Sequence, residues 1–189
     1  MTAKQPDFVP NGIFHIYNHA NGFENIYKTE ENYRFFLEKM GAYLPQVVDT
    51  LAYCLLPNHF HLLIQVKPIE DLTDFYQYKF DLNEEELIQR TREKPIDYSY
   101  LVRKQITNFL GGYVKAFNKQ NSRKGSLLRQ NTNRKLVNSD AYFRNLIHYL
   151  HYNAVHHGII GDFLDWPHSS YHTLISERPT KLARKKILD

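Results

Sequence analysis

Two periodicities of apolar and polar positions run through this sequence. Residues 12–20, GIFHIYNHA, are rich in β-forming side chains and alternate in part, which predicts a first strand. Asn21-Gly22 then marks a turn. In EENYRFFLEKMGAYL the apolar residues Tyr33, Phe36, Leu37, Met40 and Leu44 return every three or four positions, the spacing of a helix. Thr29 is placed to cap that helix and Pro45 to close it. Residues 47–56, VVDTLAYCLL, and 59–66, HFHLLIQV, read as a second and a third strand. The tight PNH connection between them predicts an antiparallel hairpin.

The stretch 70–98 is polar, acidic and aromatic, and predicts one or two short inserted helices. Ser99 is the expected cap of a longer helix from about Tyr100 to Asn118, with Leu101, Gln105, Phe109, Gly112 and Ala116 on one side and Gly111-Gly112 as a local weak point. Residues 126–137 end in a fourth strand. Ser139 then caps a helix from Asp140 that stops at Gly158. The order β-α-β-β-α-β followed by a helix predicts an α+β fold: a ferredoxin-like split βαβ with an antiparallel sheet, helices on one face and a C-terminal helix. The basic tail, with KLARKK at 181–186, is expected to fray.

Composition narrows the function classes. Of the 189 residues, 42% are apolar and 23% charged, as in a folded globular chain. A single cysteine, Cys54, rules out an intrachain disulfide, and its apolar setting predicts a small buried residue. No apolar run approaches membrane-spanning length and no signal peptide is visible, so a cytoplasmic protein without a membrane partner is expected. The formal charge of +4 is modest, but it is unevenly spread. Nine cations, Arg103, Lys104, Lys115, Lys119, Arg123, Lys124, Arg129, Arg134 and Lys135, follow one another with no acid among them, whereas residues 70–93 hold eight acids and three bases. Such a run would attract a phosphate backbone; it would equally serve as a solvated surface.

Candidate chemistry lies in two places. His59 and His61 are two apart in a predicted strand, so their side chains share a face about 6.6 Å apart at the backbone and can converge on one ion. The spacing alone also fits two partly exposed histidines at a sheet edge. Tyr149 and Asn153 are four apart on the last long helix and face one way, although with fourteen tyrosines such a spacing also arises by chance. Tyr113, in the basic region, competes as a reactive phenol, but its four-on neighbour Phe117 cannot ligate a metal.

In combination these segments carry a resemblance. LLPNHFHLLIQ resembles the histidine–hydrophobic–histidine (HUH) motif of the single-tyrosine transposases and their REP-associated relatives. YFRNLIHYLHYNAVHHGII resembles the family's tyrosine helix, GSLLRQNTNRKLV the block leading into the last strand, and HIYNHANG the first strand with its turn. The likeness covers most of residues 11–172, with 70–98 as an insertion and 173–189 as a basic tail. It departs from the family at Ala154, where proline is usual, at Leu128, where tryptophan is frequent, and in the length of the acidic stretch.

The resemblance implies a metal-dependent nuclease and strand transferase acting on single-stranded or hairpin DNA. Tyr149 would be the nucleophile forming a 5′-phosphotyrosine link. His59, His61 and Asn153 would hold Mg2+ or Mn2+, with His19 nearby. The basic run would bind DNA, and a homodimer is open to such a protein. Two other classes are open: a DNA-binding regulator of the same fold that has lost cleavage, which an intact histidine pair and tyrosine disfavour, and an RNA-binding ferredoxin-like module, whose sheet-surface aromatics are replaced here by HFH.

Overall fold

A computed structural model describes residues 5–188. Its central feature is a four-stranded sheet in the order β2-β3-β1-β4, built from β1 (Ile13–His19), β2 (Val48–Leu56), β3 (His59–Val66) and β4 (Asn133–Val137). Every neighbouring pair is antiparallel, and β3 lies between β1 and β2. The helices are α1 (Glu30–Tyr43), α2 (Ile69–Phe80), α3 (Glu84–Glu93), α4 (Tyr98–Gln120) and α5 (Asp140–His156), followed by a 3-10 turn at Phe163–Asp165 and short helices α6 (Tyr171–Ile175) and α7 (Lys185–Leu188). Among the described residues no helix is long and apolar enough to cross a membrane.

Strand alternation gives the sheet two different faces. Phe14 and Ile16 of β1 and Phe60, Leu62, Ile64 and Val66 of β3 point to one side. There they form the main core with Phe36 and Met40 of α1 and Val102, Phe109 and Phe117 of α4. Each such fully buried side chain contributes roughly 1.5–3 kcal/mol relative to exposure. The other face carries Leu63 with Leu51 and Ala52, covered by Leu146 and Leu150 of α5. The tyrosine-bearing helix therefore lies across the sheet from α1 and α4, a placement the helical spacing alone could not specify.

A register shift between Thr50 and Ala52 breaks the alternation of β2. Before it Val48, and after it Tyr53 and Leu55, join the main core, while Cys54 and Leu56 turn to the α5 face beside Ala154 and Trp166. In the β2–β3 register Cys54 stands opposite His61 and Leu56 opposite His59. The bulge thus supplies an apolar wall beside the two histidines. Ala154 fits fully buried against that wall, and α5 continues past it to His156.

Three expectations need correction. The helix after the acidic stretch is capped by Asp97, not Ser99. The Asp97 carboxylate accepts the Tyr100 N–H at 2.7 Å, while the Ser99 hydroxyl accepts the Phe8 N–H at 3.0 Å and donates to Asp7, pinning the N-terminal segment. The buried face of α4 runs through Leu101, Gln105 and Phe109 as expected, but continues through Tyr113 and Phe117 rather than Gly112 and Ala116. The basic tail does not fray over its described part. Ala183 N–H bonds to the Thr50 carbonyl at 2.9 Å, and Lys186 Nζ reaches Asp49 at 2.8 Å and Gln65 at 2.7 Å.

That tail, together with Leu55 N–H to the His168 carbonyl and Ser170 N–H to the Tyr53 carbonyl, both 2.9 Å, covers the free edge of β2. The acidic insertion is two helices, as expected. Only Leu72 of α2 is fully buried, α3 buries no residue, and Asn83 and Glu86 cap α3 reciprocally at 3.0 and 2.9 Å.

Candidate active site

The β1–β3 register assembles the site. Tyr17 stands opposite His61 and His19 opposite His59, so His15, Tyr17, His19, His59 and His61 share the face that meets α5. They line a cleft of about 510 Å3 with Lys135 of β4, with Tyr142, Asn145 and Tyr149 of α5, and with His157 just after that helix. His59 and His61 are 3% and 5% exposed, so they are interior groups rather than edge histidines. Their rings lie 5.2 Å apart between centroids and nearly perpendicular, at 83°.

Both rings are fixed from the sheet side. His59 Nδ1 meets Asn58 Oδ1 at 2.6 Å, and His61 Nδ1 meets His15 Nε2 at 2.8 Å. His19 stacks on His59 at 4.4 Å, and His157 meets His59 edge-on at 4.8 Å. Burial is the main reason the imidazoles resist protonation, with neighbouring imidazoles and cations adding to it. His61 is pushed down to about 2, with His15 the largest neighbouring contribution; His59 to about 3, with His19 next after burial; and His15 to about 4, with Lys135 next. At neutral pH all three are neutral, the form in which an imidazole can ligate a cation.

The fit to a metal can be tested on unsatisfied atoms. His59 Nε2 is buried with no hydrogen-bond partner among the described residues. Asn153 is 0% exposed, and both its Oδ1 and its Nδ2 are likewise without partners. A buried amide with nothing to bond costs on the order of 1–3 kcal/mol, which a ligand-binding role would offset. Among the described residues no three His, Cys, Asp or Glu side chains group as a metal cage, and the buried amide oxygen of Asn153 is a donor of another type. Asn153 sits four residues after Tyr149 on α5 and four before His157, which caps that helix, but it does not itself line the cleft.

The two tyrosines differ sharply. Tyr149 is 39% exposed at the cleft, its ring 5.7 Å from that of His61 and nearly perpendicular to it. Tyr113 is 1% exposed inside the main core, and its hydroxyl donates to the Ile26 carbonyl. The basic run is scattered. Lys135 lies in the cleft, while Arg103, Arg129 and Arg134 line a second cavity of about 390 Å3 between α4 and residues 126–134. Lys104, Lys115, Lys119 and Lys124 are exposed.

Arg123 does not behave as the sequence suggested. Its Nε and Nη2 both bond Glu24 at 2.6 Å, and further N–H groups bond the carbonyls of Gly125 and Ser126. Those contacts occupy the guanidinium in holding two loops together. Sequence reasoning also missed the Asn58 and His15 contacts and the presence of Lys135 in the cleft. Alternation from His15 to Tyr17 to His19 was visible in the sequence, but the cross-strand register that makes it a cluster was not.

No family model matches the chain. Over 187 residues it is 28% identical to a Haemophilus influenzae protein described as a candidate REP-associated tyrosine transposase, covering 91% of this chain and 86% of that one. Its fold matches the structure of a REP-associated tyrosine transposase bound to a REP hairpin with a TM-score of 0.61 at 14% identity, covering 97% of this chain and 92% of the other. Along nearly its whole length this chain is thus similar in sequence to a protein described as a REP-associated tyrosine transposase, and it shares the fold of another.

Proposed function

We propose that this protein is a metal-dependent single-stranded DNA endonuclease and strand transferase that works through a covalent 5′-phosphotyrosine on Tyr149, on a ferredoxin-like split βαβ scaffold. The observation that carries the reading is the meeting of an accessible phenol with two buried, neutral, pre-oriented imidazoles in one cleft. The names of its relatives point the same way, one of them being a protein bound to a REP hairpin. We therefore take single-stranded or hairpin DNA as the substrate and the cytoplasm, at the nucleoid, as the place of action.

His59, His61 and Asn153 are the residues that would hold Mg2+ or Mn2+, a mixed nitrogen and oxygen set acceptable to either ion. When bound, the cation would polarise the scissile phosphate and offset the charge that builds up on it. Tyr149 supplies the attacking oxygen. Its Oη–P bond forms as the P–O3′ bond breaks, the phenolic proton leaves to solvent, and the departing 3′-oxygen takes up a proton. The phosphotyrosine ester keeps the energy of the phosphodiester, so a 3′-hydroxyl can later reverse the step on a new end.

Lys135 places a positive charge at the same cleft and would attract the incoming phosphate backbone. The low-proton-affinity histidines stay neutral beside it and do not compete for that phosphate as cations. Incubation with labelled hairpin DNA and Mn2+, followed by a denaturing gel, tests the activity: a protein–DNA band that is lost in Tyr149→Phe is the expected result.

A further inference from the structure

The contact between His15 and His61 has a direction, and only one direction leaves His61 able to ligate a metal. A neutral imidazole carries one N–H and one lone pair, so a 2.8 Å contact between His15 Nε2 and His61 Nδ1 needs the proton on one side or the other. If His15 donated, the proton of His61 would sit on its Nε2, and that nitrogen would have no lone pair to offer.

His59 shows how the neighbouring ring is arranged. Its Nδ1 faces the side-chain oxygen of Asn58 at 2.6 Å, and an amide oxygen can only accept. The His59 proton is therefore on Nδ1 and its Nε2 is bare; that buried nitrogen has no hydrogen-bond partner among the described residues.

We infer that His15 is a positioning residue that accepts the proton of His61 Nδ1–H and thereby holds His61 in the tautomer whose Nε2 lone pair is free for a divalent cation. The inference rests on the metal-dependent reading above. In it the two ligands are prepared alike by two different acceptors, an amide oxygen for His59 and an imidazole nitrogen for His61.

The packing supports a fixed contact. His15 is itself buried, and its ring lies at 24° to that of His61 with centroids 5.0 Å apart. Tyr17, opposite His61 in the register, lies at 25° and 5.7 Å. His61 is thus held by two flat neighbours from β1 and cannot turn without disturbing both. Groups that bond the outer nitrogen of a ligating histidine fix its tautomer and orientation, and their loss costs about 10–100-fold in metal affinity.

Two measurements test this. Long-range 1H–15N NMR of the metal-free wild type labelled in histidine nitrogen, with His61 assigned from the signals lost in His61→Gln, should show His61 protonated on Nδ1 and bare on Nε2. The opposite tautomer overturns the proposal whether or not any variant folds. Mn2+ titration followed by the electron paramagnetic resonance of the free ion should show binding about 10–100-fold weaker in His15→Leu. His15→Gln, whose side-chain oxygen can accept the same proton, should recover most of the loss. Wild-type affinity in a folded His15→Leu overturns the role of His15 and leaves the metal reading standing. No Mn2+ binding by the wild type overturns both.

Discussion

The Tyr149 ring stands 5.7 Å from the His61 ring and almost at right angles to it, one from α5 and the other from β3, across a cleft that the rest of the sheet face completes. Nothing local holds these two together. The contact depends on β3 lying inside the sheet and on α5 covering the face away from α1 and α4.

Removal of a proposed ligand should separate metal binding from folding. His59→Ala and His61→Ala should each lower Mn2+ affinity by more than tenfold in a calorimetric titration while the circular dichroism stays that of the wild type. Asn153→Ala should weaken binding less and should leave the fold intact, because among the described residues its amide makes no hydrogen bond whose loss would orphan another group. A clear loss of stability with no change in affinity would assign Asn153 to packing.

Acid should destabilise the protein earlier than its carboxylates alone would require. His15 and His151 titrate at about 4 in the folded chain, His59 at about 3 and His61 at about 2, each lowered chiefly by burial from an unfolded value near 6.5. Between those limits the unfolded chain binds more protons, so stability is greatest above about pH 6.5 and falls as pH drops toward the folded values. Each group contributes a slope of up to about 1.4 kcal/mol per pH unit inside its window. Urea midpoints should change little from pH 7.5 to about 6.5 and decline steadily from there to 4.5, and His61→Leu should decline less. A flat profile would contradict the burial of these rings.

Two cations of the basic run should behave differently. Lys135→Ala should weaken binding to unrelated single strands and reduce the slope of log affinity against log salt by about 1. Arg123→Ala should leave that slope unchanged and lower the melting temperature, because its guanidinium is bound to Glu24 and to loop carbonyls. A salt slope that changes with Arg123 and not with Lys135 would place the DNA path elsewhere.

Much of this arrangement was legible in the sequence. Strand and helix periods located β1, α1, β2, β3 and α5 to within a few residues, because each carries an apolar or β-forming run with a cap, turn or breaker near its end. His59, His61 and Tyr149 were picked out by spacing and resemblance, and they now line one cleft. What could not be read depends on contacts between distant segments. The bulge at Leu51 shifts which β2 residues face the histidines, and no local signal marks it. Arg123 reads as one more cation in a run until Glu24, 99 residues away, is brought beside it. The tail reads as frayed because its cations lack local partners; Asp49 and Gln65 lie on strands formed long before it in the chain.

Tyr113 offers a control within the same fold. Tyr113→Phe removes a buried donor and leaves the Ile26 carbonyl without it, which should cost about 1–3 kcal/mol in equilibrium unfolding. The variant should still form the covalent DNA adduct at the wild-type level when assayed well below its melting temperature. Loss of the adduct in a fully folded Tyr113→Phe would connect the core tyrosine to the chemistry.

The most direct test is peptide mass spectrometry of the protein–DNA conjugate after reaction with hairpin DNA and Mn2+ and trimming by nuclease. The account predicts a nucleotide mass on the peptide that contains Tyr149, and no conjugate at all in Tyr149→Phe, although that variant keeps its ring packing and its DNA affinity. A nucleotide mass on any other tyrosine, or a conjugate that survives Tyr149→Phe, would contradict it.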